Sequence, residues 1–199
     1  MVTFAHPRRL RQREVKRRVG SALGAFGAGA AGPRLRLGDA YGWAWRALLC
    51  RAMATVFTKI IEGEIPGRFV WRDDRAVVFL TIAPITPGHL LVVPIEEVDH
   101  WIDLDPDLAA HLMRVAREVG RAQMQVFAPR RVGMIIAGLE VPHCHLHLVP
   151  INAEAELSFS RADHDPDPAA LDDAAHRLRS ALREQGHGER VDAAATSRT

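Results

Sequence analysis

His143, His145 and His147 alternate with Cys144, Leu146 and Leu148 in the run His143-Cys144-His145-Leu146-His147-Leu148-Val149. A strand period of two places the three imidazoles on one face and the apolar side chains on the other, where they can join a core. Neighbouring histidines add little to packing and would repel one another if charged. The pattern therefore points to chemistry, with a partly solvated strand carrying incidental histidines as the plain structural alternative. Two chemistries suit the spacing. Three imidazoles can ligate zinc, but alternate residues on one flat strand usually need ligands from elsewhere to complete a tetrahedron. Alternatively, one neutral imidazole attacks an electrophile while its neighbours orient it and donate hydrogen bonds to the developing anion. Phosphorus fits the second reading best, because a phosphohistidine-type intermediate divides one hard displacement into two easier ones.

The elements that must position this face are patterned around it. Phe57, Ile60 and Ile61 sit at helical spacing before Gly63, predicting a short helix and then a turn around Ile65-Pro66-Gly67. Phe69-Val70-Trp71 and Ala76 to Leu80 flank Asp73-Asp74-Arg75 as a β-hairpin, and His89 to Val93 follows as a third strand ended by Pro94. Asp105 caps a long helix with Pro106 in its first turn, its apolar face being Leu108, Leu112, Val115, Val119, Ala122 and Val126. Gly133 to Ala137 and His143 to Val149 complete the strands, the second stopped by Pro150. Asp167-Pro168 opens a last helix with Leu171, Ala175, Leu178 and Leu182 on one face, ended by Gly186. Hairpin-connected strands interrupted by a few helices make an α+β domain with an antiparallel sheet.

Composition divides the chain. Of its 199 residues, 48% are apolar and 25% charged, enough to bury one core and unlike a disordered or fibrous chain. Residues 1–52 hold eleven basic residues against two acidic ones, whereas the remainder holds fifteen against twenty-two. That first segment, rich in Arg, Gly and Ala, lacks a sustained period and reads as disordered. Three explanations of it compete: translation beginning at Met53, a targeting segment around Arg17-Arg18, or a nucleic-acid arm. The domain is expected over 53–186, with 187–199 a disordered tail. No apolar run reaches membrane-spanning length, and two cysteines without close spacing fit a reducing, cytoplasmic compartment.

The triad run resembles the His-φ-His-φ-His-φ-φ signature of the histidine triad (HIT) superfamily. Its lead-in, Ala137-Gly138-Leu139-Glu140-Val141-Pro142, resembles that family too, as do Phe57 to Pro66 and Pro87-Gly88-His89-Leu90-Leu91-Val92-Val93-Pro94. Four motifs in order over about residues 53–150 are far more specific than the triad alone. The resemblance implies a HIT-like fold of about five strands per subunit with a long helix and short flanking helices. It also implies a homodimer pairing through the long helix and the strand from Gly133 into one continuous sheet. Carried over by position, His145 is the nucleophile that takes the nucleotidyl group. His143 orients it through its backbone carbonyl, and His147 and His89 contact phosphate or assist the leaving group. Phe57, Phe79, Leu80 and Ile82 match positions that wall in a purine and its ribose, although all four are apolar enough to be ordinary core.

Departures from the family pattern are informative. Thr55-Val56-Phe57-Thr58 stands where many relatives carry Cys-x-x-Cys, and Glu97 stands near the histidine that completes their zinc site, so structural zinc is not expected. Thr81, Val132 and Leu139 replace an Asp, an Asn and a Gln that Hint-like relatives use on ribose and phosphate. The resemblance implies a purine nucleotide substrate and no cofactor; the apolar runs and the charge distribution lead to an expectation of no membrane partner and no nucleic-acid partner beyond the basic extension. It implies a hydrolase of the Hint-like branch acting on a nucleoside phosphoramidate or similar conjugate. The alternatives are a dinucleoside polyphosphate hydrolase or nucleotidyl transferase, and a nucleotide-binding module with weak or no catalysis.

Overall fold

The computed structural model describes residues 54–196; the expectations for residues 1–52, Met53 as a start among them, lie outside the described residues. Thr55 caps the first helix, α1 (Val56–Ile61), by accepting from the Thr58 amide, and Phe57 and Ile61 form its buried side. Strands β1 (Arg68–Arg72) and β2 (Ala76–Leu80) form the expected antiparallel hairpin. Its turn closes on the buried carboxylate of Asp73, which accepts from the amides of Arg75 and Ala76, the Trp71 indole and the His111 ring at 2.8 to 3.0 Å. With β3 (Leu90–Pro94), β4 (Arg131–Ile135) and β5 (Leu146–Ile151), these strands make a five-stranded antiparallel sheet in the order β1-β2-β3-β5-β4.

One face of the sheet packs on α2 (Pro106–Phe127) and α3 (Pro168–Glu184). Leu108, Leu112, Val115 and Val119 of α2 meet Val78, Leu90, Val92, Leu146 and Leu148 there, joined by Leu171, Leu178 and Leu182 of α3. The caps are those of the pattern: Asp105 and Asp167 accept first-turn amides, each followed by proline. The other face carries Phe69, Val77, Phe79, Leu91 and Val93 against Phe57 and Ile61 of α1. A bulge between Phe69 and Trp71 lets Val70 and Trp71 both reach the helix side.

Several boundaries differ from expectation. Strand β5 continues through Pro150 to Ile151, because the proline's carbonyl accepts from the Thr86 hydroxyl at 2.7 Å on the side away from β4. The amide hydrogen that proline lacks would have pointed the same way, so the β4 ladder loses nothing. Strand β4 lies two residues earlier than its apolar run suggested. The tail expected to be disordered from His187 is corrected: residues Gly188–Thr196 form a helix, α4, whose Val191 and Ala194 are fully buried. Its anchor is β1, a partner that no local pattern of small residues announces. Residues 197–199 lie outside the described residues.

Candidate active site

His143 and His145 precede β5 and only His147 stands on it, so a regular strand does not carry the whole triad. The alternation still holds: Cys144, Leu146 and Leu148 enter the helix-side core, while the imidazoles face the side of α1. His89 precedes β3, beside β5 in the sheet, which brings it to His147. Gln123 of α2, fully buried, donates to the carbonyls of Gly88 and Leu148 at 2.8 and 3.0 Å, tying together the residues next to His89 and His147. Gly88 is required there: its φ is +83°, and a Cβ would lie 2.2 Å from the Phe127 ring.

Backbone partners fix the tautomer of each ring. A carbonyl can only accept, so His143 carries its proton on Nε2, donating to Pro94 at 2.9 Å, and Nδ1 accepts from the Thr55 hydroxyl at 2.9 Å. His145 carries its proton on Nδ1, donating to the His143 carbonyl at 2.7 Å, which leaves the Nε2 lone pair for attack. The Ile85 amide donates to Nδ1 of His89, so Nε2–H of His89 donates to Nδ1 of His147 at 3.0 Å. His147 therefore bears its own proton on Nε2. The rings run in sequence: Phe57 lies 4.8 Å from His145, His145 lies 4.7 Å from His147, and Phe159 lies 4.9 Å from the far side of His147.

Burial keeps these rings uncharged. It lowers His89 to about 4, with His145 adding to the effect, and lowers His147 to about 3, with repulsion from His145 and His89 adding to it. Burial also lowers His143 and His145. Neutral imidazole with a bare Nε2 is the nucleophilic form. A consequence for stability follows. Unfolded histidine protonates near 6.5, so the buried rings stabilise the fold fully above that pH and lose this contribution as pH falls towards about 4 for His89. Urea unfolding should give a stability lower at pH 5 than at pH 7, by about 2 kcal/mol from His89 alone; equal midpoints at the two pH values would contradict neutral burial.

The zinc reading of the triad finds no support in the geometry: Nδ1 of His147 is taken by His89, and no group of three or more His, Cys, Asp or Glu side chains converges on an ion position among the described residues. Of the residues matched to a purine and ribose wall, Phe57 lies against His145 and Phe79 packs on Phe57 with centroids 5.8 Å apart, both rings being buried in the core on the α1 side. Leu80 is corrected: alternation along β2 turns it into the helix-side core, away from the histidines. Ile82 and Leu139 stand in loops at 77% and 94% exposure, and Thr81 uses its hydroxyl to accept from the Ala83 amide. Val132 shares a face with Met134 and packs towards α2, so its position cannot serve a phosphate on the triad side. Phe159, in a short turn of 3-10 helix and 44% exposed, escaped the sequence reading because an isolated aromatic in a polar loop has no pattern. Thr55 stood out in the sequence only as a departure from the Cys-x-x-Cys of relatives, and its bond to His143 carried no signal there. A cavity of about 360 Å³ lined by Arg130, Arg131, Asn152 and Glu154 opens at the other end of β4 and β5 and contains none of the four histidines.

The family model "HIT domain" matches residues 62–154. An uncharacterized HIT-like protein of Borreliella burgdorferi is 30% identical over 115 residues, covering 54% of this chain and 83% of that protein. Among solved structures, a zinc-bound histidine triad family protein from Mycobacterium smegmatis superposes with a TM-score of 0.60 at 28% identity, over 69% of this chain and 99% of its own. A hypothetical histidine triad nucleotide-binding protein from Sulfolobus tokodaii gives 0.57 at 22% identity, over 64% of this chain and 91% of its own, a likeness of fold.

Proposed function

Because this chain belongs to the histidine triad (HIT) family, we propose that it is a nucleotidyl hydrolase acting on a nucleoside phosphoramidate or related conjugate through a nucleotidyl-His145 intermediate. The observation that carries this reading is the proton on Nδ1 of His145, held by the His143 carbonyl, which leaves Nε2 neutral and unprotonated. In the first step Nε2 forms a bond to the α-phosphorus while the bond to the leaving amine breaks, and the amine takes its proton from solvent. The Nε2–H of His147 donates a hydrogen bond to a phosphoryl oxygen as charge develops there. Water then attacks the phosphorus, returns the lone pair to His145 and releases the nucleoside monophosphate. Phe57 and Phe79 supply an apolar wall for the base.

The test is incubation of the purified protein with adenosine phosphoramidate and with diadenosine polyphosphates, with a rapid quench at neutral pH and intact-mass detection of the adduct. Turnover of the phosphoramidate with a nucleotidyl adduct supports the reading. Turnover of the polyphosphates alone favours the alternative, and tight binding without turnover overturns catalysis.

We propose also that the molecule is a homodimer in the cytoplasm. Strand β4 stands at the end of the sheet with Met134 and Ile135 partly exposed, an apolar edge that no strand pairs among the described residues and that a second copy can satisfy. Sedimentation at micromolar concentration should give a species of twice the chain mass of 22.0 kDa; a single species at the chain mass would refute it.

A further inference from the structure

A zinc-bound neighbour raises the question of whether this chain can hold zinc where Thr55, Thr58 and Glu97 converge on His143. The donors do not fit the ion. Zinc takes thiolate, neutral imidazole or free carboxylate ligands. Here two positions are neutral hydroxyls, so only Nδ1 of His143 and the Glu97 carboxylate remain as ligands, two short of a tetrahedron. The Glu97 carboxylate is engaged as well, Oε2 accepting from the Thr55 amide at 3.2 Å and from the Thr58 hydroxyl.

These groups form a directed chain instead. A carboxylate only accepts, so the single hydroxyl proton of Thr58 is committed to Glu97 and cannot turn to Thr55. The Thr58 amide donates to the Thr55 oxygen at 3.2 Å. The hydroxyl proton of Thr55 is then left for Nδ1 of His143, whose other nitrogen must donate to Pro94. The His143 carbonyl in turn accepts the Nδ1–H that sets the tautomer of His145. Thr55 and His143 are both buried, so water does not replace a missing member at low cost. Burial works to raise Glu97, but the bonds from Thr58 and Thr55 outweigh it and hold the carboxyl below its usual range, keeping it an acceptor.

We propose that Glu97, Thr58 and Thr55 are a metal-free brace that holds His143, and through its carbonyl His145, in register for attack, with Thr55 as the positioning residue. The part concerning rate rests on the nucleotidyl-His145 reading; the part concerning the ring of His143 does not.

The experiment compares wild type with Thr55→Val and Thr55→Ser on adenosine phosphoramidate, alongside nitrogen-correlated NMR of the histidine rings in the full chain. Thr55→Val should lower kcat roughly tenfold to a hundredfold with KM little changed. Thr55→Ser, which keeps the hydroxyl, should restore kcat close to wild type. In wild type the His143 ring should show a proton on Nε2 and none on Nδ1, and the Nδ1 signal should move in Thr55→Val. Zinc added to the wild type should leave the melting temperature unchanged. An unchanged kcat and ring signal in Thr55→Val, a Thr55→Ser variant as slow as Thr55→Val, or stoichiometric zinc that raises melting would overturn the brace. If wild type turns over no nucleotide, the functional reading fails, and the ring signals and zinc titration still decide the brace.

Discussion

Replacing His145 with alanine should lower turnover by several orders of magnitude while nucleotide affinity stays within about tenfold of wild type. The reason is local. Nε2 of His145 is the bare nitrogen of a ring whose other nitrogen is fixed by the His143 carbonyl. His89 and His147 are committed to each other, and His147 presents a proton rather than a lone pair. No neighbouring imidazole can take over the attack without changing its tautomer. In the proposed mechanism, ground-state contact falls mainly on surfaces that the substitution leaves in place. His143→Ala and His147→Ala should be milder, since orientation or one hydrogen bond to a phosphoryl oxygen is worth about 2 to 4 kcal/mol. Single-turnover kinetics with intact-mass detection checks the claim: His145→Ala should form no adduct, and near-normal turnover would remove the covalent mechanism altogether.

The second large effect lies one residue away and is of a different kind. Leu146→Ala should destabilise the fold by about 2 to 5 kcal/mol, because it leaves a cavity where partial collapse is all the surroundings allow. Leu146 is almost fully buried with Leu148, Val92 and the apolar stripe of α2, on the face opposite the imidazoles. Denaturant unfolding measures the loss, and kcat per folded molecule should stay near wild type. A stable Leu146→Ala protein with impaired kcat would mean that the two faces of the triad segment are assigned wrongly.

How far sequence reaches here depends on whether the signal is local. Asp105-Pro106 and Asp167-Pro168 announce their helices because cap and first turn are neighbours in sequence, and the apolar spacing of α2 and α3 reports the one face they bury. The triad is legible for the same reason: alternation survives even where the segment before Leu146 leaves the ladder. Leu80 was misplaced because apolar residues fill both faces of β2, so composition cannot say which face a given residue joins; only the register does. Val132 illustrates the same point on β4, where a shift of one residue exchanges the phosphate side for the helix side. The partners of His143 come from Thr55, 88 residues earlier, and from Pro94, 49 residues earlier. Nothing local distinguishes that threonine from an ordinary cap. Helix α4 was missed because its stability is tertiary.

That last helix has a consequence for how many copies can associate. Val191 joins the core on one face of the sheet and Ala194 the core on the other, so α4 must wrap around the outer border of β1. Arg179 of α3 also donates to the Phe69 carbonyl at 2.8 Å, occupying an acceptor on that same strand. The two borders of the sheet are thus unequal: one is sealed by the chain's own C-terminal segment and the other is β4. A sheet open at both ends can recruit copies indefinitely, whereas one that is plugged at one end is used up by a single mate. If the proposed homodimer forms through β4, the C-terminal helix is its end-stop, and removing that helix should leave the β1 border open to further copies.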